Sequence, residues 1–277
     1  MKGKATVLCE NYVINQDGPV AEHGWAVFLE TDHGCYLFDT GQGRGIIGNA
    51  CLFHKDIASI DGVMLSHNHY DHTGGLMQVL EHTGRVKVYA HHDLFGSTYD
   101  VTDDGVETYN GIPFCREALE NRGAEFVFNT QMTEIASGMY LSGEIPRMTD
   151  FEYGDRNLFV KTEHGFVQDP FLGDQTLFIR TDEGLVVILG CSHAGIVNIL
   201  HHAVGKTGES RIRAVIGGTH LGRADEETRE KSIAALKQFD IARIGVSHCT
   251  GYETSMRMWQ EFGDRFFFCN VGAQIEL

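Results

Sequence analysis

Four side chains able to bind a metal ion fall within six residues of one another: His67, His69, Asp71 and His72, in "GVMLSHNHYDHTGG" from Gly62 to Gly75. Imidazole titrates near neutral pH and is the commonest metal ligand. His67 and His69 are two residues apart, so in an extended chain they share one face. Asp71 and His72 follow where a turn should start a helix, which would aim them at a second, nearby point. The spacing predicts two metal ions bridged by a water or hydroxide, with Asp71 holding the nucleophile.

The motif has three echoes later in the chain. "LVVILGCSH" ends at His193, "RAVIGGTH" at His220 and "ARIGVSH" at His248. Each is an apolar run, then small residues, then a histidine. Small residues permit a tight turn and a close approach of backbone to a site. Ligands of α/β proteins sit at strand ends, so these histidines converge if the strand ends share one rim.

The elements that must position these groups alternate along the chain. Strands are predicted at Thr6–Cys9, Ala26–Glu30, Tyr36–Phe38, Gly62–Leu65, Val86–Ala90, Glu125–Phe128, Met139–Leu141, Thr176–Arg180, Leu185–Leu189, Arg213–Ile216, Arg243–Val246 and Phe266–Cys269. Helices are predicted at Gly75–Glu81, Pro113–Asn121, Ala194–Val204, Glu226–Phe239, where Asp225 can cap the start, and Glu253–Phe262. Many strands with interspersed helices point to an α/β chain of sheets covered by helices. No shift in composition marks a boundary, so residues 1–277 read as one domain. Asp93–Gly111 and Ser142–Asp174 read as irregular. The second, residues 142–174, mixes five aromatics with Arg147 and Arg156, which suits a loop that covers substrate.

Bulk properties narrow the function. The 277 residues carry a net charge of −16 and no Lys/Arg run, which argues against a nucleic-acid partner. No apolar stretch approaches the ~18 residues of a membrane span. The seven cysteines are scattered and form no C-x-x-C, and the N-terminal residues form no apolar signal segment. A reduced, cytoplasmic protein acting on a small-molecule substrate is expected.

"HNHYDH" resembles the H-x-H-x-D-H signature of the metallo-β-lactamase-fold superfamily. "FDTG" at Phe38–Gly41, "SGEIPR" at Ser142–Arg147, "GCSHAGIVN" at Gly190–Asn198, "GGTHL" at Gly217–Leu221 and "SHCTG" at Ser247–Gly251 are similar to its dihydropteroate-synthase-like branch. That branch includes an archaeal enzyme joining a pterin methyl diphosphate to a ribosylaminobenzene phosphate. The resemblance implies an αββα sandwich of two mixed sheets with a metal site at the sheet edge. It implies His67 and His69 on one ion, Asp71, His72 and His248 on the other, and Asp39 supporting the ligands from behind. "LGCSHAG" departs from the commoner pattern, which places a bridging aspartate where Cys191 falls. His193 is the leading further ligand, with Cys191 and Asp174 as alternatives.

Histidine and carboxylate ligands suit two divalent ions, zinc first, with iron or manganese open. Diiron relatives carry Glu at the place of His69, so Lewis-acid chemistry is favoured over redox chemistry. The leading expectation is a hydrolase that attacks a phosphate-containing or other ester through a metal-bound hydroxide. His220, Arg147 and Arg156 are candidates to neutralise substrate phosphate. The alternatives are a pterin-diphosphate-dependent synthase and a metal-binding regulator without turnover.

Overall fold

Adjacent residues of one strand enter different cores, as a sheet covered on both faces requires. In the computed structural model, which describes residues 1–14 and 17–277, Val7, Val27, Phe38 and Met64 face an inner cluster. Their neighbours Leu8, Phe28, Leu37 and Val63 belong to an outer one. Val186 and Ile216 join the same inner cluster from a second sheet, and Val187 and Val215 face outward there. Helices close both outer faces. Ile46, Leu76, Leu80 and Leu119 come from helices Ile46–Leu52, Leu76–Thr83 and Arg116–Arg122 over the first sheet. Helices Ile196–Thr207, Glu226–Leu236 and Tyr252–Phe262 cover the second. The layers are helix, sheet, sheet, helix, the expected αββα sandwich.

The two sheets have matching construction. The first runs Gln274–Glu276, Gly3–Cys9, Ala26–Thr31, Gly34–Phe38, Gly62–Met64, Val86–Ala90, Ala124–Phe128. It is antiparallel as far as Gly34–Phe38 and parallel beyond. The second runs Phe266–Phe268, Asp240–Ser247, Arg211–Gly218, Gly184–Ile188, Leu177–Thr181, Met139–Leu141, Thr133–Ala136. Its first four strands are parallel and the rest antiparallel. Asp225 caps its helix as predicted, accepting from the Thr228 N–H at 2.8 Å. That helix ends at Leu236, short of the expected Phe239. No helix among the described residues is long and apolar enough to cross a membrane.

The two segments read as irregular are partly ordered by each other. Thr98–Val101 and Glu107–Tyr109 from one, and Leu158–Thr162 and Gly165–Gln168 from the other, form a four-stranded antiparallel sheet. Glu107–Tyr109 and most of Gly165–Gln168 are exposed, so no apolar alternation marks them, and the pairing that joins the two hairpins, Leu158–Thr162 with Thr98–Val101, is between distant parts of the sequence. Tyr99, Tyr109, Phe159 and Phe166 pack edge to face between them.

Glu152 fastens residues 142–174 to the body. Its buried carboxylate accepts the Val197 and Asn198 N–H groups at 2.9 and 3.0 Å, capping the helix that begins at Ile196. Asn198 answers by accepting the Met148 and Thr149 N–H groups at 2.7 and 2.8 Å. A side chain on Gly195, whose φ is +89°, would begin 2.3 Å from the Glu152 carboxylate. Replacing Glu152 with Ala should lower stability by about 1–3 kcal/mol, the cost of orphaning buried donors. It should also speed amide exchange across residues 147–157. Unchanged exchange there, measured by mass spectrometry, would show that this cap does not hold the segment.

Candidate metal centre

Three neighbouring parallel strands, Gly184–Ile188, Arg211–Gly218 and Asp240–Ser247, end at one rim. The chain turns there through Cys191 and His193, His220, and His248. Gly62–Met64 delivers His67 from the opposite sheet. The turns are strained: Asp39, Ser192, His220 and His248 all have positive φ, at 59°, 64°, 56° and 51°. Such conformations cost about 1–3 kcal/mol each and persist where the surroundings over-determine them, typically at functional sites. Gly190 allows a close approach, since a Cβ there would lie 2.3 Å from Ser66 Oγ.

Two groups of ligand-type atoms result. His67, His69 and His193 each bring a ring nitrogen within 4.8 Å of the others. His67 Nε2 and both ring nitrogens of His193 are buried with no hydrogen-bond partner. Burying such groups is costly unless something binds them. Burial drives the His67 and His193 pKa values far down and that of His69 to about 3, leaving neutral imidazoles, the form that binds metal. In the second group His248 Nε2 lies 3.2 Å from both His72 Nε2 and Asp71 Oδ2, and the latter two are 3.9 Å apart. Cys191 Sγ is 3.1 Å from His72 Nε2, and Cys191, His67 and His72 also lie within 4.8 Å of one another. The donor set and its partnerless nitrogens fit divalent ions.

Residues behind the site fix which nitrogen faces inward. Asp39 accepts from Ser66 N, Ser66 Oγ and His72 Nδ1, each at 2.7 Å. The Ser66 hydroxyl gives its proton to Asp39 and so accepts from His67 Nδ1 at 2.9 Å. Asn11 Oδ1 takes the His248 Nδ1 proton at 3.0 Å, and Glu10 takes the His248 N–H at 2.7 Å. In all three histidines Nε2 is left toward the site. Burial works against a charge on His72, yet Asp39 and Asp71 outweigh it and raise the pKa to about 9.

The other expected residues divide. His220 packs on His193, with ring centroids 4.3 Å apart, and holds Asp155 through Nε2 at 3.2 Å. Although burial opposes it, Asp155 and Cys249 raise the His220 pKa to about 9. Asp174 belongs to none of the ligand groups: one oxygen accepts the Ala194 N–H at 2.8 Å, the other is buried without a partner, and burial raises its pKa to about 7. Arg147 departs from expectation. It reaches the Glu152 carbonyl at 3.3 Å and faces outer clefts, not the cavities beside the histidines. Arg156 does line such a cavity, of about 260 Å³, together with His193, His220 and Arg223. A second cavity, of about 330 Å³, lies beside His67 and His69 among Leu65, Leu94, Val160 and Phe171. Phe171 stacks on His193 at 4.6 Å, so this pair separates the two cavities.

Sequence reasoning passed over Glu10, Asn11, Ser66, Arg223 and His23, whose Nε2 is 3.2 Å from Asp71 Oδ2. Ser66 alone had a local signal, its place beside His67. The others meet the site only through folding.

Fold and site together define a class. The chain belongs to the metallo-β-lactamase superfamily: a profile of the Metallo-beta-lactamase superfamily matches residues 20–207. A relative 29% identical over 282 residues, 99% of this chain and 96% of its own length, is 7,8-dihydropterin-6-methyl-4-(β-D-ribofuranosyl)-aminobenzene-5'-phosphate synthase of Methanocaldococcus jannaschii. A hydroxyacylglutathione hydrolase of Hydrogenovibrio crunogenus matches over a shorter span, 32% identical across 23% of this chain and 24% of its own. Among solved structures, Tm1679, described as a metal-dependent hydrolase of the β-lactamase superfamily, is 30% identical with a TM-score of 0.85, covering 99% of both chains.

The Asp39–His72 pair gives a pH prediction. The folded pKa of about 9 exceeds the ordinary 6.5 of histidine. The pair's stabilisation is therefore complete below pH 6.5 and is lost as pH rises through 9. In metal-free protein, Asp39→Asn should lose on the order of a few kcal/mol relative to the parent near pH 6. That gap should narrow toward pH 9.5 in urea unfolding. A gap that widens with pH would refute the assignment of charge to His72.

Proposed function

We propose that the protein is a metal-dependent enzyme that acts on a phosphate-bearing small molecule at a dinuclear centre. His67, His69 and His193 hold one divalent ion, zinc first among the candidates, and Asp71, His72 and His248 hold the other. Ions held there would supply Lewis-acid positive charge toward an ester or phosphate oxygen and toward a departing group. Asp71, an ionised carboxylate among three histidines, accepts a proton or orients the attacking group. Arg156 binds substrate phosphate in the cavity it lines beside His220, whose ring Asp155 holds in place.

The reaction the site fits best is condensation of a pterin methyl diphosphate with a phosphorylated aminobenzene acceptor. The observation carrying this reading is the pair of cavities meeting at the His193–Phe171 wall. The apolar one, with Asp169 and Asp93 on its lining, suits a flat ring whose N–H edge donates to carboxylates. The other, with Arg156 and Arg223, suits a phosphorylated partner. A hydrolase needs one such cavity and water. Simple hydrolysis of an ester or diphosphate is the second reading, favoured by the likeness to Tm1679.

Metal-loaded protein should release diphosphate from a pterin methyl diphosphate and form the condensed product when the acceptor is present. Release of diphosphate with only the free alcohol supports hydrolysis. No turnover on these or on simple phosphoesters, lactones and thioesters sinks both. His69→Ala should lose one metal equivalent and about 100-fold or more in rate, at least the effect of losing a residue behind a ligand.

A further inference from the structure

A second kind of ligand cluster lies beside the histidine–carboxylate centre. We propose that Cys191, His220 and Cys249 form a third, thiolate-rich cation site, bordering the centre at Cys191, whose Sγ is 3.1 Å from His72 Nε2, and that it takes a borderline or soft divalent ion such as Zn²⁺ or Cd²⁺. Both sulfurs and a ring nitrogen of His220 lie within 4.8 Å of one another. The three residues follow the ends of three adjacent parallel strands, so the sheet itself sets their spacing.

His220 is prepared for this role. Its Nε2 is engaged by Asp155 Oδ2 at 3.2 Å, and its Nδ1 is buried with no hydrogen-bond partner. An imidazole with one nitrogen on a carboxylate and the other free is the usual arrangement of a metal-ligating histidine. The backbone at His220 is held at φ 56°, and its N–H points at Cys249 Sγ, 3.3 Å away. Cys249 in turn donates to the Cys191 carbonyl at 3.4 Å. Gly218 makes room for that sulfur, since a Cβ there would begin 2.6 Å from it.

Two sulfurs and one imidazole suit zinc and its softer congeners better than the oxygen-seeking ions. Binding breaks two S–H bonds and the Nδ1–H bond of His220, forms two metal–sulfur bonds and one metal–nitrogen bond, and releases the three protons to solvent. The two thiolate charges cancel that of a divalent ion, so the loaded site adds little repulsion to the neighbouring centre. His220 lines the cavity of about 260 Å³, which gives the ion an entry path and a place for a further ligand.

Cobalt(II) titration of the purified full-length chain tests this directly. A third equivalent should bind with a near-ultraviolet thiolate-to-cobalt band. Cys249→Ser should lose that band and one equivalent while keeping two. A band that survives unchanged in Cys249→Ser would mean that Cys191 alone serves the His72–His248 ion, and would overturn the proposal. So would a parent saturated at two equivalents with no such band. Should the variant fail to fold, X-ray absorption on the zinc-saturated parent decides. Two sulfurs at about 2.3 Å shared among three ions are expected, and one or none refutes the site. Either failure leaves the two histidine-bound equivalents, and the function proposed for them, to be judged by turnover.

Discussion

The fully buried carboxylate of Asp39 determines how both halves of the site are oriented. It accepts from the Ser66 amide, the Ser66 hydroxyl and His72 Nδ1. A hydroxyl has one proton, and giving it to Asp39 leaves oxygen lone pairs that only accept. His67 must then present Nδ1–H to Ser66 and Nε2 to the site. One carboxylate thus orients a histidine in each ligand group, both on the stretch that follows Gly62–Met64. Its own backbone, at φ 59°, is held by an N–H bond to the Met64 carbonyl at 2.8 Å.

The electrostatics follow from that asymmetry. His67, His69 and His193 have no carboxylate close enough to offset burial, so they remain neutral with bare lone pairs. His72 has two, Asp39 and Asp71, and keeps a proton that a metal ion would displace. The free protein therefore holds one group ready for a cation and the other stabilised by an internal ion pair. The folding cost of both, partnerless nitrogens on one side and strained turns on the other, is borne by three large apolar clusters in the layers above and below.

Much of this was legible in the chain. The spacing of His67 to His72, and apolar runs that end in small residues and a histidine, are local signals. They also report the fold, because parallel strands sharing an edge bring such ends together. The residues that hold the ligands were not legible. Glu10 and Asn11 lie more than two hundred positions from His248, and nothing near them in sequence marks the contact. The four-stranded sheet was hidden for a related reason. Glu107–Tyr109 is exposed throughout, and most of Gly165–Gln168 is exposed, so these strands lack the alternation that reveals a buried face. Arg147 and Arg156 show the limit of composition: they share one segment and one charge, yet only Arg156 lines a cavity beside the histidines.

The segment 142–174, which lines both cavities, also grips the turn that carries one of the site's histidines. Phe171 stacks on His193, Asp174 takes the N–H of Ala194, and Glu152 caps the helix beginning at Ile196. These contacts come from three places along residues 142–174 and converge on six residues after Cys191. A displacement of the segment would therefore be felt at His193, and a shift of His193 would disturb the wall between the two cavities. The ligand cluster is built from motifs at strand ends, while the cavities are lined in part by this segment. Their coupling through one short turn gives a physical route by which occupancy of either cavity can act on the geometry of the centre.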